Sequence, residues 1–354
     1  MPRTWSKVLI GIIIVIIIIF LIGFLILAFS EYFPEDRESL QIEGESTKTL
    51  KIGETAKIIT YNLGYLSLDN TQDFFMDGGK SVRPQNATNV TKNLAAINNF
   101  MQIQDADIYL FQEVDTKAKR SYNINEYNGI KEDFSGTSSF AYMFNSLYIP
   151  YPIFNTVGHV ESGVATLNKY NVKESTRISL PSAYSWPKRA VMYKNCLLEQ
   201  RIIIDGSDKE LVIYNVHLDA YGAEDGKTEQ LDVLINLMTE EYQKGNYVIA
   251  GGDFNQTFPG VDLEKFPIID DDNYVPIQIQ DNYLPDGWKY AVDYERPTAR
   301  LLNEEYSGTY ENTQLYIIDG YILSPNVECE SVETIENNFS YSDHHPVKLS
   351  IKLV

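Results

Sequence analysis

The sequence predicts an α+β domain containing more than one β-sheet, carried behind a single membrane-spanning helix. Three observations lead there. An unbroken apolar run opens the chain, short β-rich runs recur from about residue 56 to the end, and only two segments have clear helical spacing. Strands outnumber helices and do not alternate with them strictly. That pattern argues against a doubly wound parallel sheet and for a layered α+β arrangement.

The opening run, Val8–Phe29, is 22 residues of mostly isoleucine and leucine. At about 1.5 Å rise per residue it spans a hydrocarbon core of about 30 Å. A cleaved signal peptide has a shorter apolar core and ends in small residues. Here the run passes through Ala28-Phe29-Ser30 straight into Glu31, which favours an uncleaved signal anchor. Arg3 and Lys7 precede it, and Glu31, Glu35 and Asp36 follow. The positive-inside bias therefore predicts residues 1–7 in the cytoplasm, 8–29 in the membrane and the remainder outside, at the cell surface. Residues 30–55 are polar, acidic and without period, and are read as a stalk. The globular domain is expected over 56–354.

Within that domain the expected strands are Lys57–Tyr61, Ile108–Phe111, Gly163–Leu167, Leu211–Val216, Tyr247–Ala250, Leu315–Leu323 and Val347–Leu353. One helix is expected over Asn89–Gln102, where Val90, Leu94, Ile97 and Met101 recur at three and four. A second is expected over Thr228–Gln243, with Leu231, Leu234, Ile235 and Met238 on one face and Gly245 as its stop.

Charge narrows the function. The 49 acidic residues outnumber the 29 basic ones, and loss of Arg3 and Lys7 from the exported part leaves 27 against 49, a net of −22. Passive coating of nucleic acid or anionic lipid is disfavoured, because the cationic field that drives it is missing. A bound cation could still supply positive charge locally. Two distant cysteines, Cys196 and Cys329, exclude a disulfide scaffold and a four-cysteine zinc site, and two buried free thiols are expected. No run is read as an exposed apolar hairpin that would dip into a bilayer, which counts against a domain that works inside a lipid surface.

The apolar runs end in unusual residues. Asn62 ends one, Gln112-Glu113 another, Asn215-Val216-His217 a third, and Gly252-Asp253-Phe254-Asn255 a fourth. Asp319 lies inside an apolar run, and Ser342-Asp343-His344-His345 opens the last strand. One such end is ordinarily a cap or a turn. Six, holding three of the four histidines, are hard to explain as turns. Oxygen donors without thiolate favour Mg²⁺ or Mn²⁺ over zinc. Imidazoles beside carboxylates suit proton transfer and hydrogen bonding to phosphate. Together they point to phosphoryl transfer with water as the attacking group.

In this order the six segments resemble the endonuclease/exonuclease/phosphatase superfamily, over about Lys57 to Leu353. The resemblance implies a four-layered α/β/β/α sandwich with the site at one edge of two packed sheets. It implies Glu113, Asp343 and Asn62 at the metal, and His344 on the scissile phosphate, oriented by Asp319. It also implies His217 as the second histidine, with Asp253 and Asn255 polarising the nucleophile and holding the phosphate. Adjacent strand residues face opposite ways, so His345 is expected to pack rather than act. The loop around Asp77-Gly78-Gly79 supplies Lys80 and Arg83 as candidate substrate-binding cations, with an ordinary loop as the equal alternative. Lys188-Arg189 and Arg296–Arg300 are further cationic candidates, and Tyr184–Trp186 a candidate wall. Asn255-Gln256-Thr257 fits a glycosylation signal that a working site would leave unused.

The expected activity is therefore membrane-anchored, Mg²⁺- or Mn²⁺-dependent hydrolysis of a phosphodiester or phosphomonoester. The substrate could be nucleic acid, a phospholipid headgroup or a small phosphoester, and no protein partner is evident. The alternative is an inactive domain of the same fold used for adhesion. It is disfavoured because no signature position carries an apolar residue.

Overall fold

The computed structural model describes residues 3–182 and 184–354. Of the expected cytoplasmic segment 1–7, residues 1 and 2 lie outside the described residues. Helix α1 (Arg3–Ser30) carries the apolar run, and it is long and apolar enough to cross a membrane.

Two seven-stranded sheets follow. The first runs in the order β1 (Arg37–Ser39), β7 (Val172–Ser179), β8 (Cys196–Ile203), β9 (Glu210–His217), β10 (Tyr247–Asp253), then the strands Asp319–Leu323 and Lys289–Ala291. The second runs Val327–Thr334, Val347–Leu353, β3 (Ala56–Asn62), β4 (Ile108–Ala118), β6 (Gly158–Asn168), β5 (Thr137–Ile149) and β2 (Glu43–Gly44). Alternation along the strands builds the layers. Ile58, Ile108, Leu110, Leu211, Ile213, Ile249 and Leu349 fill the space between the sheets. Ile59, Tyr61 and Tyr109 point the other way, onto α2 (Ala87–Gln104) and α3 (Glu126–Lys131) through Val90, Ile97, Met101 and Ile130. On the opposite outer face Val212, Tyr214 and Val248 meet Leu231, Leu234 and Met238 of α4 (Glu224–Gln243). The result is the expected four-layered α/β/β/α sandwich. Each fully buried aliphatic side chain in it contributes about 1.5–3 kcal/mol.

Both helices lie where the spacing places them. Asn86 caps α2 by accepting from Thr88 N–H, and Gly245 ends α4 at φ 87°. Polar contacts tie the sheets together next to the site. Gln112 Nε2 donates to Asn215 Oδ1 at 2.7 Å, and Asn215 Nδ2 donates to the carbonyls of Ala165 and Phe111.

The structure departs from the sequence reading in four places. The segment 30–55 is not a free stalk: β1 pairs with β7, β2 pairs with β5, and Leu50 is buried. Edge strands of two or three residues satisfy backbone groups without needing an apolar period, so the sequence hides them. The expected strand Leu315–Leu323 breaks at Ile317-Ile318. The N–H groups of Ile318 and Asp319 both donate to Thr298 Oγ1, and Asp319 opens the strand that pairs with β10. Cys196 is buried as expected, but Cys329 is exposed, and both are free. Finally, an exposed apolar hairpin does exist. The β5–β6 connection leaves Leu147, Tyr148, Tyr151, Ile153 and Phe154 exposed. No element is expected over these residues from sequence, and Pro150 and Pro152 argue against a core strand there.

Candidate functional site

Strand ends of both sheets converge on a cavity of about 460 Å³. β9 and β10 run parallel, with His217 beside Asp253, and Asp253 in turn faces Asp319 across the next strand pair. From the other sheet β3 delivers Asn62 and β4 delivers Glu113, while the turn before the last strand delivers Asp343 and His344. Glu113, His217, Asp253, Asn255, Asp343 and His344 line the cavity directly.

Glu113 reaches it by backbone distortion. The pairing of β4 with β6 slips between Phe111 and Val114, and Glu113 sits at φ 53°. A bulge of this kind re-aims one side chain, and a left-handed non-glycine residue costs about 1–3 kcal/mol, held here by the flanking ladder. Gly64 answers the same crowding on β3's side: at φ +51° an added Cβ would lie 2.7 Å from Asp343 Oδ1.

The surroundings of the two histidines shift their pKa values in opposite directions. His344 Nδ1 lies 2.8 Å from Asp319 Oδ2, and its Nε2 faces Asp253 and Asp343 at 3.9 and 4.0 Å. Burial alone would lower its pKa, but Asp319, Asp343 and Asp253 outweigh burial and hold it well above the usual imidazole value. His217 lies 3.6 Å from both Glu113 Oε1 and Asp253 Oδ2, and burial dominates there, lowering its pKa. Asp253 is gripped from three sides: Asn62 Nδ2 donates at 3.0 Å, Asn255 Nδ2 at 3.2 Å and Asn255 N–H at 2.8 Å. Burial, and then the charge of Asp319, raise its pKa. Glu113 is raised to about 7, first by burial and next by Asp343.

All eight candidate catalytic and metal residues are thus brought together, six on the cavity wall and two just behind it. Asp319 stands behind His344. Asn62 stands behind Asp253, and its Oδ1 accepts from Gly64 N–H. His345 faces away, fully buried: it stacks on Phe339 at 3.9 Å and sits 3.0 Å from the Pro297 carbonyl. Lys80 and Arg83 do not line the cavity. Their loop instead presents Phe74, Phe75, Met76, Asp77 and Val82, and Tyr221 closes over it by donating to Asp77 at 2.7 Å.

The chain belongs to the endonuclease/exonuclease/phosphatase family. The family's profile, described as the Endonuclease/Exonuclease/phosphatase family, matches residues 59–315, well over half of the chain. A search of curated proteins returns no match. Among solved structures, a family protein from Leptotrichia buccalis C-1013-b is similar at 14% identity and TM-score 0.55, over 84% of this chain and 100% of that one. One from Beutenbergia cavernae DSM 12333 is similar at 13% identity and TM-score 0.54, over 84% and 72%. D. rerio TDP2, solved with a single-strand DNA product, is similar at 15% identity and TM-score 0.51, over 84% and 99%. These identities establish a shared fold. Enzymes of the family are metal-dependent phosphoesterases.

The residues present fit a divalent cation of that kind. Two carboxylates, Glu113 and Asp343, face one cavity, and their mutual repulsion adds to the raised pKa of Glu113, which a cation would relieve. Asp253, Asp319 and His344 also bring ligand atoms within 4.8 Å of one another. There, however, the His344–Asp319 hydrogen bond already uses Nδ1, so the Glu113 side suits a cation better.

Several wall residues escape a sequence reading. Arg120 is buried, forms a two-pronged pair with Asp115 and lies 3.7 Å over the ring of Tyr65. Tyr274 donates to Asn255 Oδ1 at 2.8 Å. No local motif marks them, because the site each one serves is assembled from segments distant in sequence. Lys188 and Arg300, two of the cationic candidates, do line the cavity, but Arg300 is spent on the carbonyls of Asp69, Gln72 and Glu304.

Proposed function

We propose that the protein is a membrane-anchored hydrolase, with its domain outside the cytoplasm, that cleaves a phosphoester by attack of water. The observation that carries this reading is the His344–Asp319 pair, set beside Asp253 in one cavity that His217 also lines. Nδ1–H of His344 donates to Asp319 Oδ2, which fixes the ring and leaves Nε2–H free to donate to a phosphate oxygen. Its raised pKa keeps that proton in place. Asp253, oriented by Asn62 and Asn255, is placed to accept the proton of the attacking water, and its raised pKa makes it the stronger base. His217, kept neutral by burial, supports the phosphate from the other side. Glu113 and Asp343, with Asn62 adjacent, would hold Mg²⁺ or Mn²⁺, which when bound supplies positive charge to the phosphate oxygens.

The wall favours a substrate with an apolar substituent. Tyr65, Phe74, Phe75, Phe144, Tyr151, Tyr184 and Tyr193 face the phosphate site, whereas the cations there are few and mostly engaged. A lipid phosphoester suits that wall, and α1 would keep the domain beside such substrates. The exposed β5–β6 tip also removes the sequence-level objection to a lipid-directed enzyme. A second reading, a nuclease, is favoured by the likeness to TDP2 solved with DNA product. Hydrolysis of bis(p-nitrophenyl) phosphate with Mg²⁺, with and without EDTA, tests the phosphoesterase. A panel of plasmid DNA, RNA, sphingomyelin, other phospholipids and inositol phosphates then separates the branches. Preference for DNA over every lipid would overturn the first reading of the wall, and no turnover on any member would support the adhesion domain.

A further inference from the structure

In a chain that is 22% charged, no charged residue lies between Phe144 and Gly158. This stretch forms the end of the β5–β6 hairpin, and it points its apolar groups outward. Phe154 is fully exposed, Ile153 is 78% exposed and Leu147 69%. A contiguous exposed apolar patch of this kind marks an interaction surface. Two backbone bonds close the tip. Val157 N–H donates to the Tyr151 carbonyl at 3.0 Å, and Asn155 N–H to the Pro152 carbonyl at 3.2 Å.

The position of the tip decides its partner. One face of the hairpin lines the catalytic cavity through Ile149, Tyr151 and Val157. The facing part of the rim, residues 184–195, receives the outer end of α1. Phe24 packs on Trp186 at 4.8 Å, and Glu31 pairs with Arg189 at 2.9 Å and with Lys194 at 2.7 Å. Phe144 at the hairpin base meets Tyr193 of that segment at 4.7 Å. Anchor, cavity mouth and apolar tip therefore share one rim.

We propose that the β5–β6 tip inserts into the bilayer that α1 spans, so that the cavity mouth is held against the lipid surface. This rests on the membrane-anchored reading above. The tip is a second, non-covalent foot beside the anchor, with aromatic residues suited to the headgroup boundary. Its occupant is the apolar layer of the membrane and not its charge, because the tip carries no cation and the domain is acidic. Insertion is therefore expected in zwitterionic phosphatidylcholine and at high salt alike.

The test uses the full chain reconstituted in phosphatidylcholine vesicles. Cys329→Ser removes the exposed thiol, and Phe154→Cys receives an environment-sensitive fluorophore. Ile153→Cys serves as a second labelled site and Ile103→Cys, exposed at the end of α2, as the reference. The expected result is a blue-shifted label at 154 and 153, quenched several-fold more by acyl-chain nitroxide lipids than by aqueous iodide. The reference should show the reverse. If the labels at 153 and 154 respond to iodide as the reference does, the tip is in water and the proposal fails. Shielding from both quenchers would assign the tip to a second copy of the chain, which also overturns it. Failure of the chain to float with vesicles at all would remove the anchored reading and this inference together.

Discussion

The cavity floor and the cavity rim are built on opposite physical rules. On the floor, charged groups are taken out of water and held by partners: Asp319 by His344, Asp253 by Asn62 and Asn255, Asp115 by Arg120. At the rim, apolar side chains are pushed into water with nothing over them, at Leu147, Ile153 and Phe154. Each arrangement costs free energy in isolation. A fold keeps buried charge where chemistry needs a fixed field, and exposed apolar surface where a partner will cover it. On the proposed function, the floor carries the reaction and the rim the placement.

The largest effect should come from the floor's two facing carboxylates. Excess EDTA should bring phosphodiester turnover to background, and Glu113→Gln should do nearly the same with Mg²⁺ present. Full turnover of both would move the cation elsewhere. His217→Ala comes next, with an expected loss of about 10²–10⁴ in kcat and an unchanged thermal melt. A loss seen only in KM would make His217 a binding group and not part of the reaction. Asp319→Asn should cost the same order or less. It keeps the shape but removes the charge that raises His344, so the basic side of the pH–rate profile should shift to lower pH. An unshifted profile would separate the two residues. The smallest effect belongs to the rim: Ile153→Asp with Phe154→Asp should leave stability, read from the thermal melt, within about 0.5 kcal/mol of wild type, as exposed substitutions do. A large destabilisation would mean the tip packs against the domain and is not free to insert.

The floor is legible in the sequence and the rim is not. One polar strand end is an ordinary cap or turn, but six such segments holding three of the four histidines make Glu113, His217, Asp253, Asp319 and His344 stand out from the order of residues alone. The aim of Glu113 is not legible, because it depends on a slipped register at φ 53°. Arg120 and Tyr274 stay hidden because the site they join is assembled from segments remote in sequence. The tip stays hidden because apolar composition reports the strength of burial or insertion but not its direction. The strands of 37–44 escape for a simpler reason: two or three residues hold no period to detect.

Adjacent histidines give the sharpest test. His344 faces the cavity. His345 stacks on Phe339, with one ring nitrogen on the Pro297 carbonyl and the other accepting from Phe339 N–H at 3.4 Å. Burial lowers the pKa of His345 to about 4, so the folded state prefers it neutral. Its contribution to stability is complete above the unfolded value near 6.5 and is lost as pH falls from there through about 4. The deciding measurement is kcat/KM of His344→Ala and His345→Ala on one soluble phosphodiester, each with a thermal melt. The account predicts that His344→Ala loses about 10²–10⁴ in rate while still folding, with a lowered melting temperature because Asp319 is left buried without its partner. It predicts that His345→Ala melts earlier, by about 1–3 kcal/mol, and keeps most of its rate while folded. A crippled His345→Ala beside a near-wild-type His344→Ala would contradict it.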